Sequence, residues 1–205
     1  MKLYHSQTSP FVRTVLVVLD HHCLLASVET VSLDLFCGGD RQQLLMKNPV
    51  GKIPALELDD GEVIFDSSVI VDYIDEIGHG AGLFDSKALS PHRLRTFYAL
   101  SNGMMDAAVS SVMEVLQRSE ELQSEKWLAR WEESIMTSVR QISICLPQIR
   151  DTGLMPELSF VVALDYLNFR LPHIEWQAKY PKLAIWVKEQ LKQDIYRKTD
   201  PRLAK

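Results

Sequence analysis

The periodicity of apolar residues changes once along this chain, and that change limits the folds available to it. Beyond Pro91 the apolar residues recur every three or four positions, the spacing of one face of an α-helix. Two long faces run over 94–116 and 127–149, and shorter ones follow at 161–167 and 183–191. The sequence therefore predicts an all-helical bundle for its second half.

The first 80 residues alternate between short strand-like and helix-like segments. Lys2–His5 and Val28–Ser32 carry β-branched or aromatic side chains, which are typical of strands. Between them, a helical pattern begins at Pro10 and continues to about Leu19. This strand–helix–strand order predicts a parallel pair of strands joined by a helical crossover.

A hairpin and a further helix are predicted to follow. The segments 53–58 and 62–65 flank a turn that ends in Gly61, which indicates an antiparallel hairpin. A helical pattern comes after it at 69–77, and Arg41–Lys47 is a candidate extra helix before it. The predicted fold class is a mixed α/β domain of βαβ–ββα order followed by an all-helical domain.

The segment 78–90 separates the two patterns. It holds three glycines and few apolar residues, and Pro91 after it is suited to the first position of a helix. We predict a first domain over 1–78, a linker over 79–90 and a helical domain over 91–205.

Charge and cysteine content exclude several classes of protein. The formal net charge is −5 with no basic block, which argues against nucleic acid or an anionic membrane as the main partner. The three widely spaced cysteines lack the spacing of zinc ligands and fit a reducing compartment. No apolar run approaches the roughly 20 residues that span a bilayer, and no signal peptide is recognisable. A cytoplasmic protein without a metal is expected.

The junction of the first strand and first helix is the first candidate site. Ser9 precedes Pro10, so it is placed to cap the helix. A hydroxyl beside the positive end of a helix also suits a hydrogen bond to a thiolate. Both interpretations use the same geometry, and this segment by itself favours capping.

The loop that ends at Pro54 is the second candidate site. Proline is tolerated at the start or edge of a strand, and a cis bond there would turn the Ile53 backbone towards an extended peptide. Lys52 is a candidate partner for a carboxylate. The alternative is an ordinary loop with a trans proline and a solvated lysine.

Asp66 and Ser67, at the start of the helix after the hairpin, are the third candidate site. Ser67 and the free N–H groups of a helix start suit a carboxylate, whereas Asp66 suits an ammonium group. Together they match an α-amino acid head group. Simple capping by either residue is the alternative.

These motifs, in this order, resemble the glutathione transferase family over the whole chain. Ser9–Arg13 is similar to the first motif of its bacterial serine-type classes, and Asn48–Pro54 is similar to its loop ending in a cis-proline. The segment 163–170 resembles its C-terminal core helix. The resemblance implies a thioredoxin-like first domain, a homodimer, glutathione as co-substrate and a role in detoxification.

The resemblance also implies roles for individual residues. Ser9 would hydrogen-bond the glutathione sulfur, and Ser6 is its main rival because related classes use an earlier serine. Ile53 would bind the cysteinyl backbone and Lys52 the glycine carboxylate. The expected set is Ser9 as the catalytic residue, with Lys52, Ile53, Pro54, Asp66 and Ser67 binding glutathione.

The second substrate is expected to be a small hydrophobic electrophile. Its pocket would draw on the first helix and on the long helix after the linker. The candidate lining residues are Phe11, Met104, Met105 and Ala108.

One segment departs from the family pattern. The family's core helix opens on a Ser/Thr-x-x-Asp capping box, whereas Ser159 here is followed three residues later by Val162. We therefore expect a shortened or altered helix start near Ser159.

Three hypotheses of function follow. The leading one is an enzyme in which Ser9 stabilises the glutathione thiolate for attack on an electrophilic carbon or a peroxide. The second is a non-catalytic binding or assembly module with the same fold. In the enzyme of the leading hypothesis, serine rather than cysteine at position 9 disfavours glutathione-disulfide exchange, because no protein thiol stands there to form a mixed disulfide. The third is a thiol reductase using Cys37, for which a free loop thiol without a function is the favoured alternative.

Overall fold

A computed structural model gives the structure of the chain and describes residues 1–79 and 82–203. Residues 80 and 81 of the predicted linker, and the last two residues of the predicted helical domain, lie outside the described residues. The chain forms two compact units. The first comprises Met1–Gly82 and the segment that starts at Asp194, and the second comprises Leu83–Gln193. The predicted domain boundaries stay a prediction.

A mixed four-stranded sheet in the order β2-β1-β3-β4 forms the centre of the first unit. β1 (Lys2–His5) pairs in parallel with β2 (Glu29–Ser32), and α1 (Pro10–His21) connects them. β1 also pairs antiparallel with β3 (Ala55–Glu57), which forms a hairpin with β4 (Val63–Ile64). The predicted βαβ order followed by an antiparallel hairpin is confirmed.

Two more helices belong to this unit. α2 (Gly38–Lys47) precedes the hairpin and α3 (Ser67–Ile77) follows it. β3 is shorter than the predicted 53–58, because Pro54 has no N–H to donate to a neighbouring strand. At the hairpin turn Gly61 has φ of +91°, a conformation that glycine adopts without steric cost.

Hydrogen bonds to one carboxylate link β1, β3 and α2. The Tyr4 hydroxyl donates to Glu57 Oε2 at 2.6 Å, and Lys47 Nζ donates to Glu57 Oε1 at 2.7 Å. Burial, and then the hydrogen bond to Glu57, raise the pKa of Tyr4 to about 12. The hydrogen bonds from Lys47 and then from Tyr4 lower the pKa of Glu57. The charged form of Glu57 is therefore the one that the fold favours.

Helices are the only regular elements among the described residues of the second unit. Its helices are α4 (Pro91–Gln117), α5 (Glu125–Cys145), α6 (Met155–Arg170), α7 (Trp176–Lys179) and α8 (Pro181–Gln190). Ser90 caps α4 by accepting the Arg93 N–H, and Ser124 caps α5 in the same way. α4 packs against both α5 and α6. The predicted all-helical second half is confirmed.

α6 is the most buried helix of this unit, since every residue from Met155 to Leu167 is buried. Ser159 lies inside it, with its hydroxyl oxygen 2.8 Å from that of Ser101 on α4. The helix begins at Met155, ahead of Ser159. The expectation of a helix start near Ser159 was therefore wrong.

Glu157 supplies the cap that the sequence analysis did not find. Leu154 stands at the N-cap and makes no side-chain capping bond. The Glu157 carboxylate instead accepts the backbone N–H groups of Asp151 (2.7 Å), Thr152 (2.7 Å) and Gly153 (2.8 Å). An acid at the third position of a helix that reaches back to the preceding backbone is half of a capping box. It was missed because the helix start was placed after this residue.

The segment from Asp194 joins the first unit by packing on α1. It contains α9 (Asp194–Arg197). Arg13, which is 3% exposed, donates from Nη2 to the Tyr196 carbonyl oxygen at 3.2 Å. Lys198 forms an ion pair with Asp20 at 3.0 Å. Arg13, the last residue of the first motif, therefore has a structural role.

Among the described residues, no helix is both long and apolar enough to cross a membrane.

We predict that Glu57→Gln lowers the free energy of unfolding near neutral pH and that this difference shrinks in acid. A carboxyl group whose pKa is lowered by folding contributes stability above its unfolded pKa, and loses it as pH falls through the folded pKa. For Glu57 this places the loss below its ordinary value of 4.5. Urea unfolding at a series of pH values measures the difference.

Glu62→Gln is the control, since Glu62 is exposed in the same hairpin and has no ion pair within the described chain. An effect of Glu57→Gln that does not shrink at all as the pH falls below 4.5 would contradict the prediction.

We also predict that Glu157→Gln lowers the free energy of unfolding by about 1.5–3 kcal/mol, because hydrogen bonds to a charged group are lost. Glu125→Gln is the matched control, because Glu125 lies exposed in the first turn of α5. We expect it to change stability by less than about 0.5 kcal/mol. Equal effects in the two variants, measured by urea unfolding, would show that Glu157 has no capping role.

Candidate functional site

Strand pairing brings the three predicted site segments to one end of the sheet. Ser9 follows the carboxyl end of β1. β3 runs antiparallel to β1, with Tyr4 opposite Ala55, so the loop before β3 lies beside the residues that follow β1. β4 runs antiparallel to β3, so Asp66 after β4 comes to the same end. Segments far apart in sequence therefore share one sheet edge.

Ser9 caps α1 and retains a free donor. Its backbone is extended, with φ −76° and ψ 126°, and its Oγ accepts the Val12 N–H at 3.3 Å. Capping uses an oxygen lone pair, so the hydroxyl hydrogen is left to donate. Within the described residues that hydrogen has no acceptor. The capping and the thiolate-binding interpretations are therefore compatible in one side chain.

Ser6 occupies a different position. Its carbonyl oxygen accepts the Ser9 N–H at 3.1 Å, and its side chain caps no helix. The free N–H groups of a helix lie in its first turn, which Ser9 adjoins and Ser6 does not. The geometry therefore favours Ser9 as the residue at the helix terminus.

Asn48 shapes the loop before β3. Its side chain is 2% exposed, and its Nδ2 donates to the Lys52 carbonyl at 2.7 Å while its Oδ1 accepts the Val50 N–H at 3.0 Å. Gly51 has φ of +66°, and a Cβ there would stand 3.0 Å from Leu45 Cδ2. Glycine is thus favoured at this turn. The sequence analysis included Asn48 in the motif without giving it a role.

Ile53 and Pro54 connect this loop to β3, and the peptide bond between them is cis. The Ile53 side chain packs against a buried cluster that includes Tyr4 and Leu44. The pairing of β3 with β1 ends at Ala55, so the Ile53 backbone lies beyond the last paired residue. A main chain in that position is suited to pairing with an added extended segment.

Two basic side chains flank the loop. Lys52 is exposed, and the Arg41 guanidinium on α2 lies 3.5 Å from where a Cβ on Gly51 would stand. Within the described chain neither side chain has an ion pair. Two unpaired cations at one loop suit a carboxylate. Sequence reasoning missed Arg41, because only the packing of α2 brings it to this loop.

Asp66 and Ser67 lie next to each other at the start of α3. Asp66 is the N-cap, and its Oδ1 accepts the Ser68 N–H at 2.9 Å. Its Oδ2 has no partner among the described residues. Ser67 is the first residue of the helix and is 4% exposed. An acidic oxygen beside a helix N-terminus matches the two opposite charges of an α-amino acid head group.

The residues predicted to line an electrophile pocket lie on two helices. Phe11 on α1 is partly buried. Met104, Met105 and Ala108 on α4 are each 1% exposed within the second unit. This burial gives them a packing role in the bundle, and their contribution to a pocket stays a prediction.

Two further titratable side chains, His5 and Cys37, lie near this end of the sheet. Burial lowers the pKa of His5 at the end of β1, so its imidazole is neutral near pH 7. Cys37 is exposed at the N-cap of α2. Among the described residues, no three His, Cys, Asp or Glu side chains are grouped so as to hold a metal ion.

We predict that Asn48→Ala lowers the free energy of unfolding by about 1–3 kcal/mol, the cost of leaving buried groups without their hydrogen bonds. Gln43→Ala, at an exposed position of the adjacent α2, is the control and should be nearly neutral. Urea unfolding of both variants tests this. A neutral Asn48→Ala would mean that the loop keeps its shape without the side chain.

Comparison with known proteins gives a consistent family. Residues 3–81 match the family model described as glutathione S-transferase, N-terminal domain. Along its length the chain is 30% identical to YibF of Escherichia coli K12, an uncharacterised glutathione-transferase-like protein, with 98% of each chain covered.

Two crystal structures of a glutathione transferase family member from Pseudomonas fluorescens Pf-5 share 33% sequence identity with the chain. The one with bound glutathione has a TM-score of 0.91 and covers 97% of both chains. The one with bound S-(propanoic acid)-glutathione has a TM-score of 0.88 and covers 98% of this chain and 99% of its own. These likenesses confirm the predicted thioredoxin-like domain followed by a helical domain, and with them the chain belongs to the glutathione S-transferase family.

Proposed function

We propose that this protein is a glutathione transferase that binds glutathione and uses the Ser9 hydroxyl to stabilise the glutathione thiolate. The observation that carries this proposal is that the Ser9 hydroxyl can cap the helix and donate a hydrogen bond at the same time. Its oxygen accepts the Val12 N–H, so the helix start is capped while the hydroxyl hydrogen is left to donate. A thiolate at that point would also lie near the positive end of α1.

The other candidate residues at this end of the sheet suit the remaining groups of the tripeptide glutathione. The Ile53 backbone, beyond the last paired residue of β3, would pair with the cysteinyl main chain, and Pro54 fixes that turn. Asp66 and Ser67 would hold the γ-glutamyl ammonium and carboxylate groups. Lys52 would bind the glycine carboxylate, with Arg41 beside it. The family member from Pseudomonas fluorescens was crystallised with glutathione bound, which supports this assignment.

The energy required is available from these groups. A thiol has an unperturbed pKa of about 8.5, and lowering it by about two units needs about 2.7 kcal/mol of selective stabilisation. A hydrogen bond to a charged acceptor contributes about 1.5–3 kcal/mol, and a helix terminus adds about 0.3–1 kcal/mol. One hydroxyl and one helix start are therefore sufficient to hold a thiolate near pH 7.

The thiolate would attack an electrophilic carbon, or reduce a peroxide, in a reaction that needs no protein thiol. Support for a carbon electrophile comes from the relative that binds S-(propanoic acid)-glutathione, a glutathione thioether. Phe11, Met104, Met105 and Ala108 stay the proposed pocket residues. A cytoplasmic homodimer is the proposed state of the enzyme, and Cys37 has no role in this chemistry.

We predict that Ser9→Ala raises the pKa of the bound glutathione thiol by at least about one unit, because one charge-assisted hydrogen bond is lost. At neutral pH this corresponds to a several-fold to tenfold smaller thiolate fraction. Ultraviolet absorbance of the thiolate, titrated against pH with glutathione bound, measures it directly.

Two further variants separate chemistry from folding. Ser9→Thr retains both the cap and the donor and should keep most of the thiolate, whereas Ser6→Ala should titrate like the native protein. If Ser6→Ala removes the thiolate and Ser9→Ala does not, Ser6 is the activating residue. If glutathione binds the native chain without becoming a thiolate, the non-catalytic binding module replaces the enzyme.

A further inference from the structure

His5, the last residue of β1, has no role in the proposed function. Its side chain is partly buried, and its Nδ1 atom is enclosed without a hydrogen-bond partner among the described residues. An enclosed polar atom without a partner costs free energy comparable to a lost hydrogen bond. An apolar side chain would therefore suit the packing better, so packing does not explain a histidine at this position.

The other ring nitrogen of His5 is open. Nε2 is not enclosed by the protein, and it too lacks a partner within the part of the chain that the structure describes. A neutral imidazole carries a proton on one nitrogen only. Buried N–H groups without an acceptor are rarer than acceptors without a donor, so the proton belongs on Nε2. Because burial lowers the pKa of His5, the neutral ring with an open Nε2–H donor is the form present near pH 7.

The alternation of side chains along β1 decides which face of the sheet His5 occupies. Tyr4 belongs to a buried cluster that also contains Leu44 of α2. Successive side chains point to opposite faces of a sheet, so His5 points away from α2. Leu3 and Leu56 on that opposite face are fully buried, and α3 packs against both β3 and α1. His5 therefore lies on the face that α1 and α3 cover.

Strand register brings His5 beside Pro54. β1 and β3 are paired as far as Tyr4 and Ala55, so one step further along both strands His5 comes opposite Pro54. Residues that stand directly opposite each other share a face of the sheet. The histidine ring is thus next to the residue that follows Ile53, whose backbone is free to pair with an added extended segment.

The turn after β1 keeps Ser9 at the same corner of the sheet. The Ser9 N–H donates to the Ser6 carbonyl oxygen at 3.1 Å. A turn closed in this way holds its first and last Cα atoms within about 7 Å of each other, and Ser6 directly follows His5. The free hydroxyl hydrogen of Ser9 and the free Nε2–H of His5 are therefore two donors at one corner.

The proposed function sets the cysteinyl main chain of glutathione against the Ile53 backbone, with its sulfur at Ser9. We propose that His5 is a second donor to this sulfur, and that its Nε2–H bonds the thiolate together with the Ser9 hydroxyl. The inference rests on the proposed function, since it needs glutathione at this end of the sheet. No proton is transferred to the ring, because the imidazole stays neutral while two donors share the negative charge of the sulfur.

The variant His5→Phe keeps a flat ring and removes the donor. We expect the pKa of the bound glutathione thiol to rise by about half to one unit, which gives a three- to tenfold smaller thiolate fraction near neutral pH. His5→Gln offers an amide N–H in place of the imidazole N–H and should recover most of the thiolate. Ultraviolet absorbance of the thiolate, titrated against pH at saturating glutathione, measures both variants and the native chain.

His21→Phe is the matched control. His21 is exposed at the far end of α1, about 18 Å along the helix axis from its start, and this variant should titrate like the native chain. If the native chain holds a thiolate and His5→Phe titrates identically, the role of His5 is overturned and the proposed function stands. If the native chain binds glutathione without a thiolate, both are overturned.

The native chain offers a second measurement that does not depend on the folding of any variant. Nitrogen-15 NMR of the histidine rings should show the proton of His5 on Nε2. That signal should shift when glutathione binds, and much less when S-methylglutathione binds, because its sulfur carries no charge. Equal shifts with the two ligands, or a proton on Nδ1, would overturn the inference.

Discussion

The position of β1 in the middle of the sheet is the constraint on which the end of the sheet that is proposed to bind glutathione depends. Because β1 pairs with β2 on one side and β3 on the other, its carboxyl end carries Ser9 to the place where the loop before β3 arrives. The Tyr4–Glu57 hydrogen bond joins those two strands, and Lys47 binds α2 to the same carboxylate. Strand register and the hydrogen-bonded Glu57 carboxylate therefore assemble the site, and the site's own residues stay available for a ligand.

Two helices begin at this end of the sheet. In each, the N-cap side chain uses one polar atom for capping and leaves another available for a ligand. Ser9 caps α1 through its oxygen and keeps its hydrogen, and Asp66 caps α3 through Oδ1 and keeps Oδ2. A cap and a ligand contact are therefore not rival functions of one side chain. A residue that holds a helix start in place is also held in place itself, which orients its remaining donor or acceptor.

In the second unit, the start of α6 is capped in a different way. α6 lacks a capping hydroxyl at Leu154, and Glu157 satisfies the backbone of the preceding loop instead. This allows the helix to begin early and to bury its first residues.

The sequence by itself determined the order of elements, since that order depends on local periodicity, on turn glycines such as Gly61 and on prolines at helix starts. It also identified Ser9 and Asp66, because short-range capping geometry is readable along the chain. It misplaced the start of α6, where a carboxylate had replaced the expected hydroxyl pattern. Only the tertiary structure brought Arg41 to the loop before β3 and Arg13 to the Tyr196 carbonyl oxygen. Those facts depend on contacts between distant segments, and no local pattern records such contacts.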